Sequence, residues 1–341
     1  MKRRLPAEWE EQDGVLVAWP HESTDWHPHL DSVEPVFAEI VARITCFETV
    51  LVVAPEPERV LAALAPYGSA SDKVRIIRLD TNDTWARDFG PLIVREGGDL
   101  LLLDFGFNGW GLKFPADLDN LITRRLHAAG SFGKLPCRTY GLILEGGSIE
   151  SDGGGTFLTT SECLLNPNRN PHLRREDLEA MLGETLGAEQ VLWLENGFLA
   201  GDDTDSHVDT LARLCPDNTI IYVRCDDPAD EHFAALSAME EELRSFRTKD
   251  GSPFRLIPLP WPSPRYDGVE RLPATYANFL VINGAVLVPT YRDPNDETAL
   301  KAVGEAFPDR EIIGIDCLPL ILQHGSLHCV TMQLPKGTLE L

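Results

Sequence analysis

One cysteine, one His/Asp pair and two carboxylates at glycine-rich turns are the groups in this sequence whose types could act together on a bound molecule. Cys329 lies in His324-Gly325-Ser326-Leu327-His328-Cys329-Val330-Thr331, a turn leading into a short apolar strand. Glycine and serine there allow close backbone approach, and the thiolate would be a nucleophile. A lone cysteine beside a strand would equally serve as a buried structural thiol. In Gly201-Asp202-Asp203-Thr204-Asp205-Ser206-His207-Val208-Asp209, His207 and Asp209 are two apart. An extended strand would project both from one face and Val208 from the other, a proton carrier beside an anionic anchor. Asp88 precedes Gly90-Pro91, a turn that would set its carboxylate at the lip of a strand. Glu145 ends the run Leu142-Ile143-Leu144 and is followed by Gly146-Gly147, which admit a second backbone or a ligand. Half buried there, it would need a partner. Asp202, Asp203 and Asp205 raise the question of calcium, but the EF-hand order of ligands and its closing Glu are missing, so no metal is expected.

The elements that must position these groups alternate along the chain. Val33, Val36, Phe37, Ile40, Val41 and Ile44 form one apolar face at the helical period, with Ser32 placed to cap it. Four further amphipathic segments are marked by Leu118–Leu126, Leu173–Leu182, Phe233–Phe246 and Leu300–Phe307. Apolar strands lie between them: 14–20, 49–54, 100–104, 156–159, 219–223, 254–258, 279–288 and 311–315. This α/β alternation predicts a doubly wound sheet by default, with weak internal repetition. No linker divides the chain, and Pro258–Pro264 reads as a long surface loop that could border a site, so residues 1–341 are taken as a single domain.

Composition narrows the partners. With 43% hydrophobic residues in 341, the chain can bury a large core. Its 54 acidic against 30 basic residues give a net charge of −24, which argues against nucleic acid or an anionic membrane and suits a small cation, or solubility alone. Seven cysteines without a C-x-x-C pair suggest neither a zinc knuckle nor a disulfide framework, and the N-terminus lacks an apolar signal region. A cytoplasmic protein is expected, with a homodimer as the default assembly.

Taken in order, Trp85-Ala86-Arg87-Asp88-Phe89-Gly90-Pro91, Glu145-Gly146-Gly147-Ser148-Ile149, Asn166-Pro167-Asn168-Arg169-Asn170-Pro171, His207-Val208-Asp209 and His328-Cys329 resemble the agmatine deiminase and bacterial peptidylarginine deiminase family of guanidine-modifying enzymes. The resemblance runs from about residue 5 to about residue 335. It implies a single-domain α/β propeller of five pseudo-symmetric units and a site that uses neither metal nor organic cofactor. By the same resemblance Asp88 and Asp209 would hold the guanidinium, Cys329 would attack its carbon, and His207 would carry protons. Glu145 would keep His207 protonated and aimed, and Trp85 would pack on the substrate methylenes. The family usually carries three glycines before Ile-His-Cys, where this chain has His324-Gly325-Ser326-Leu327, and small residues where it has Asp205-Ser206. These differences fall at the pocket mouth and bear on agmatine against peptidyl-arginine. Agmatine, a dication, is the expected substrate. A peptidylarginine deiminase, an amidinotransferase and a non-catalytic guanidine- or polyamine-binding protein are the competing readings.

Overall fold

The structure is a computed structural model and describes residues 2–68 and 71–340. Strands and helices alternate, but not around one sheet. Among the described residues the strands form five sheets of three or four strands and one two-stranded hairpin. The doubly wound sheet expected by default is therefore not formed; the alternation is instead divided into short, separate βαβ units.

The five sheets share one pattern of pairing. A leading strand runs antiparallel to a central strand, which pairs parallel to a third across a helix. In order, the leading, central and third strands are Thr331–Pro335, Gln12–Ala18 and Thr49–Ala54; Leu92–Glu96, Asp99–Gly106 and Cys137–Ile143; Ile149–Ser151, Thr156–Thr160 and Gln190–Leu194; Ala212–Cys215, Thr219–Val223 and Arg255–Leu259; and Leu280–Ile282, Ala285–Thr290 and Glu311–Asp316. Parallel neighbours need a crossover, and each amphipathic segment supplies one. The first, Leu30–Thr45, buries Val33, Val36, Phe37, Ile40, Val41 and Ile44, each contributing about 1.5–3 kcal/mol over exposure. Ser32 lies inside this helix rather than capping it; its hydroxyl donates to the His29 carbonyl at 2.8 Å. The others are Ile122–Ala128, Arg175–Leu186, Phe233–Ser245 and Asp296–Ala306.

The last strand, Thr331–Pro335, completes the sheet begun by Gln12–Ala18. Chain closure thus fixes the segment carrying Cys329 against the N-terminal unit. Pro258–Pro264 leaves the end of a strand and borders a small cleft with His232, Arg265 and Arg271, separate from Cys329. Among the described residues no helix is long and apolar enough to cross a membrane.

Candidate active site

The segment entering each leading strand carries one polar residue of a common site: Asp88 before Leu92–Glu96, Glu145 before Ile149–Ser151, Asp209 before Ala212–Cys215, Asn278 before Leu280–Ile282, and Cys329 before Thr331–Pro335. All five are buried.

Gly147 marks where several of them converge. A Cβ at this position would lie 2.6 Å from His207 Nδ1, 2.9 Å from Asp88 Oδ1 and 3.1 Å from Asp209 Oδ2, so only glycine fits. The Gly147 N–H donates to Asp88 Oδ1 at 3.0 Å, and Trp110 Nε1 donates to Asp88 Oδ2 at 3.0 Å. His207 Nδ1 stands 3.6 Å from Asp88 Oδ1. Asn278 Oδ1 accepts from the Cys329 thiol and the Cys329 N–H, each at 3.3 Å, and from the His328 N–H at 2.9 Å.

Local geometry departs from the sequence expectation in three places. Asp88 sits in the one-turn helix Ala86–Phe89, not at a strand lip. His207 and Asp209 are not in a strand: His207 precedes the 3-10 turn Val208–Thr210. The chain reaches it through two left-handed residues, Asp205 (φ 64°) and Ser206 (φ 62°). Asp202 Oδ2 steadies this turn by accepting the Ser206 N–H at 2.7 Å, and Thr204 Oγ1 accepts the His207 N–H at 3.1 Å. Glu145 is fully rather than half buried, and its partner is Arg169, whose Nε donates to Glu145 Oε1 at 2.7 Å. No hydrogen bond joins Glu145 to His207 among the described residues; Glu145 Oε2 and His207 Nε2 are both unpartnered.

Glu145, Cys163 and His207 bring a carboxylate, a thiol and an imidazole nitrogen within 4.8 Å of one another. These are zinc-type donors, but Arg169 occupies one Glu145 oxygen and adds a positive charge that a cation would meet.

A cavity of about 140 Å³ reaches Cys329. Its buried lining is Trp85, Asp88, Trp110, Thr210 and Cys329, while Asp25, Asp83, Asp202, Asp203, His324 and Phe114 line it nearer solvent. Trp85 lies so close to Gly325 that a Cβ there would sit 2.1 Å from its ring. Asp205 is not part of this lining. It is tied to Arg169 at 2.6 Å and to Lys113 at 2.8 Å, so the acidic rim is Asp25, Asp83, Asp202 and Asp203.

Burial and clustered negative charge set the protonation states. Burial first, then Asp209 and Asp88, push the Cys329 thiol well above its ordinary range. Burial and the charge of Asp209 likewise push Asp88 well up. For Asp209, burial works upward, but the hydrogen bond and charge of His328 outweigh it and hold the carboxyl low. Burial pushes His207 down to about 3, leaving a neutral imidazole. Burial and Asp25 raise Asp83 to about 7. The site is thus short of positive charge, a condition a bound cation would relieve.

The sequence motifs include Arg169 and His328 without marking a role for either, and Asn278, Trp110, Glu8 and Arg213 lie outside them. Asn278 was detectable as one amide inside the apolar run Tyr276-Ala277-Asn278-Phe279-Leu280.

Residues 4–335 match the family described as Porphyromonas-type peptidyl-arginine deiminase. An agmatine deiminase from Pseudomonas fluorescens is 34% identical over 360 residues, covering 97% of this chain and 95% of its own. A Porphyromonas gingivalis structure provisionally named an arginine deiminase is 52% identical, with a TM-score of 0.95 and coverage of 99% of this chain and 100% of that one. A cysteine-to-serine variant of C. jejuni agmatine deiminase with substrate bound is 42% identical, with a TM-score of 0.91 over 98% of this chain and 97% of that one. The chain belongs to the Porphyromonas-type peptidyl-arginine deiminase family.

Proposed function

We propose that this protein is an agmatine deiminase, hydrolysing agmatine to N-carbamoylputrescine and ammonia. The observation that carries this reading is the cavity. A thiol and a carboxylate lie at its buried end, tryptophans form its walls, and four further carboxylates rim its outer part. Agmatine has a guanidinium, an apolar spacer and an ammonium in the same order.

In this reading Asp88 and Asp209 accept hydrogen bonds from the guanidinium nitrogens, supplying the charge balance that the buried acids lack. Trp85 packs against the methylenes. The arriving cation favours the thiolate, and the Cys329 proton passes to His207. The sulfur then bonds to the guanidinium carbon, and a C–N bond breaks as His207 returns the proton to the leaving ammonia. A covalent thiouronium on Cys329 remains. Water, deprotonated by the neutral His207, adds to the same carbon, and the C–S bond breaks to release the carbamoyl product and the thiolate. Glu145, neutralised by Arg169, backs His207 electrostatically rather than through a direct bond.

The fold in this reading is a five-fold pseudo-symmetric propeller formed by a single domain of residues 1–341. The repeated antiparallel-then-parallel pairing of the five sheets supports it, as does the site residue at the head of each. Peptidyl-arginine is the second reading, favoured by the family description. Against it, Asp25, Asp83, Asp202 and Asp203 line the cavity and no lysine or arginine is among the described residues lining it, a balance of charge that suits a second cation.

Ammonia release should be measured with agmatine, free arginine and a blocked arginyl peptide, with Cys329→Ala as control. Turnover of agmatine in preference to the others, lost in the variant, is expected. Turnover of the peptide alone would replace the substrate assignment.

A further inference from the structure

Behind the reacting groups lies a buried set of charges of which the reaction above uses only Asp209. Its centre is His328, adjacent to the nucleophile in sequence and 1% exposed. His328 Nδ1 lies 2.7 Å from Asp209 Oδ2, and its Nε2 lies 2.7 Å from Glu8 Oε2. Both partners are carboxylate oxygens, which only accept. A neutral imidazole has one N–H and would set its bare nitrogen lone pair against an oxygen at hydrogen-bond distance.

One contact could be read the other way, since Arg213 Nη2 is 3.0 Å from His328 Nε2. That guanidinium, however, is already well supplied with acceptors. It donates to Glu150 through Nε, to Glu8 through Nη2 at 2.9 Å, and to the Ala277 and Phe279 carbonyls through Nη1. Charge balance points the same way. The groups packed around His328 are the carboxylates Glu8, Glu150 and Asp209 and the guanidiniums Arg87 and Arg213. Arg87 Nη2 is 3.8 Å from Glu8, and Arg87 Nε faces the His328 carbonyl at 3.5 Å. A third positive charge at His328 makes this buried cluster neutral, whereas a neutral ring leaves an uncompensated anion inside the protein. The consequence reaches the site, because Asp209 Oδ1, the oxygen not held by His328, has no partner among the described residues.

We propose that His328 is a standing imidazolium that donates to both Glu8 and Asp209, and that it is the positioning residue keeping Asp209 ionised with one oxygen free for the cationic substrate. Its role in turnover rests on the deiminase reading; its charge state does not.

The two parts are therefore tested separately. In ¹⁵N-histidine-labelled protein without substrate at pH 7, both His328 ring nitrogens should show the protonated signature. The signals can be assigned by their loss in His328→Asn or, should that chain not fold, by their displacement in Glu8→Gln. A neutral tautomer with one unprotonated nitrogen at pH 7 would overturn the proposal whatever the enzyme's substrate.

The second test is the pH dependence of kcat/KM in folded His328→Asn. Without the imidazolium, Asp209 must lose a proton before it can accept the guanidinium. The ratio of wild-type to variant kcat/KM should therefore grow at least tenfold as pH falls from 9 to 6. A purely structural defect would lower activity by one factor at every pH, and that result would remove the positioning role.

Discussion

The Asn278 amide oxygen stands 3.3 Å from the Cys329 sulfur while also accepting the backbone N–H groups of His328 and Cys329. One side chain thus shapes the turn carrying Cys329 and faces its thiol. Two substitutions should separate these tasks. Asn278→Ala leaves the buried Cys329 N–H without an acceptor, while the backbone carbonyl of residue 278 still accepts the His328 N–H at 3.1 Å, and should cost about 1–3 kcal/mol of stability, read from the denaturant midpoint. Asn278→Asp supplies an acceptor but adds a third carboxylate near the sulfur, raising the thiol further and lowering kcat/KM about tenfold or more. Equal activity in Asn278→Asp and the wild type would show that charge near the sulfur does not limit the reaction.

Gly147 should tolerate no side chain. A methyl group there would meet His207, Asp88 and Asp209 within 3.1 Å, and small misplacements of reacting groups cost about 100-fold. Gly147→Ala is expected to fold with near-native circular dichroism and to lose at least that factor in kcat/KM. Retained activity would mean that these side chains do not need their observed spacing.

The acidic rim gives substrate capture a pH dependence. Burial and the neighbouring Asp25 raise Asp83 to about 7. Below that pH the carboxyl is neutral and its pull on an ammonium is lost; above it the charge is present. Asp83→Asn should therefore weaken kcat/KM for agmatine more at pH 8 than at pH 6. For butylguanidine, which lacks the ammonium, the same substitution should matter much less. An equal effect on both compounds at both pH values would place the ammonium elsewhere.

Arg169 and Glu145 form an ion pair at 2.7 Å, with both side chains wholly buried. Removing one partner of such a pair typically costs about 3–5 kcal/mol because the other is left uncompensated. Arg169→Gln should lower the urea midpoint accordingly. Arg169→Gln combined with Glu145→Gln should recover part of that stability while remaining inactive. No recovery in the double variant would show that Arg169 acts through Asp205 and the Thr204 carbonyl instead.

What could be foreseen in the sequence divides along physical lines. The five crossover helices were visible because apolar residues recur at helical spacing in or beside each, most fully in Leu30–Thr45. Pro57–Leu64, whose buried residues are Val60 and Leu64, was not foreseen. Asp88, Glu145, His207, Asp209 and Cys329 were each marked by local chemistry, and the structure brings them near one another. Their local conformations were less accessible. The turn into His207 depends on left-handed residues at Asp205 and Ser206, which side-chain alternation does not report. The rear cluster was hidden for another reason. Glu8 and His328 are 320 residues apart and become partners only when the last strand joins the first unit.

The central claim is that Cys329 becomes covalently bonded to the carbon of a guanidine. Acid quenching of the enzyme during agmatine turnover, followed by peptide mass spectrometry, tests it most directly. The expected result is an adduct on the peptide containing Cys329, with the mass of agmatine less ammonia, forming and decaying at rates compatible with ammonia release and absent from Cys329→Ser. Steady ammonia release with no adduct on that peptide under any quench time, or release that survives Cys329→Ser, would contradict the account.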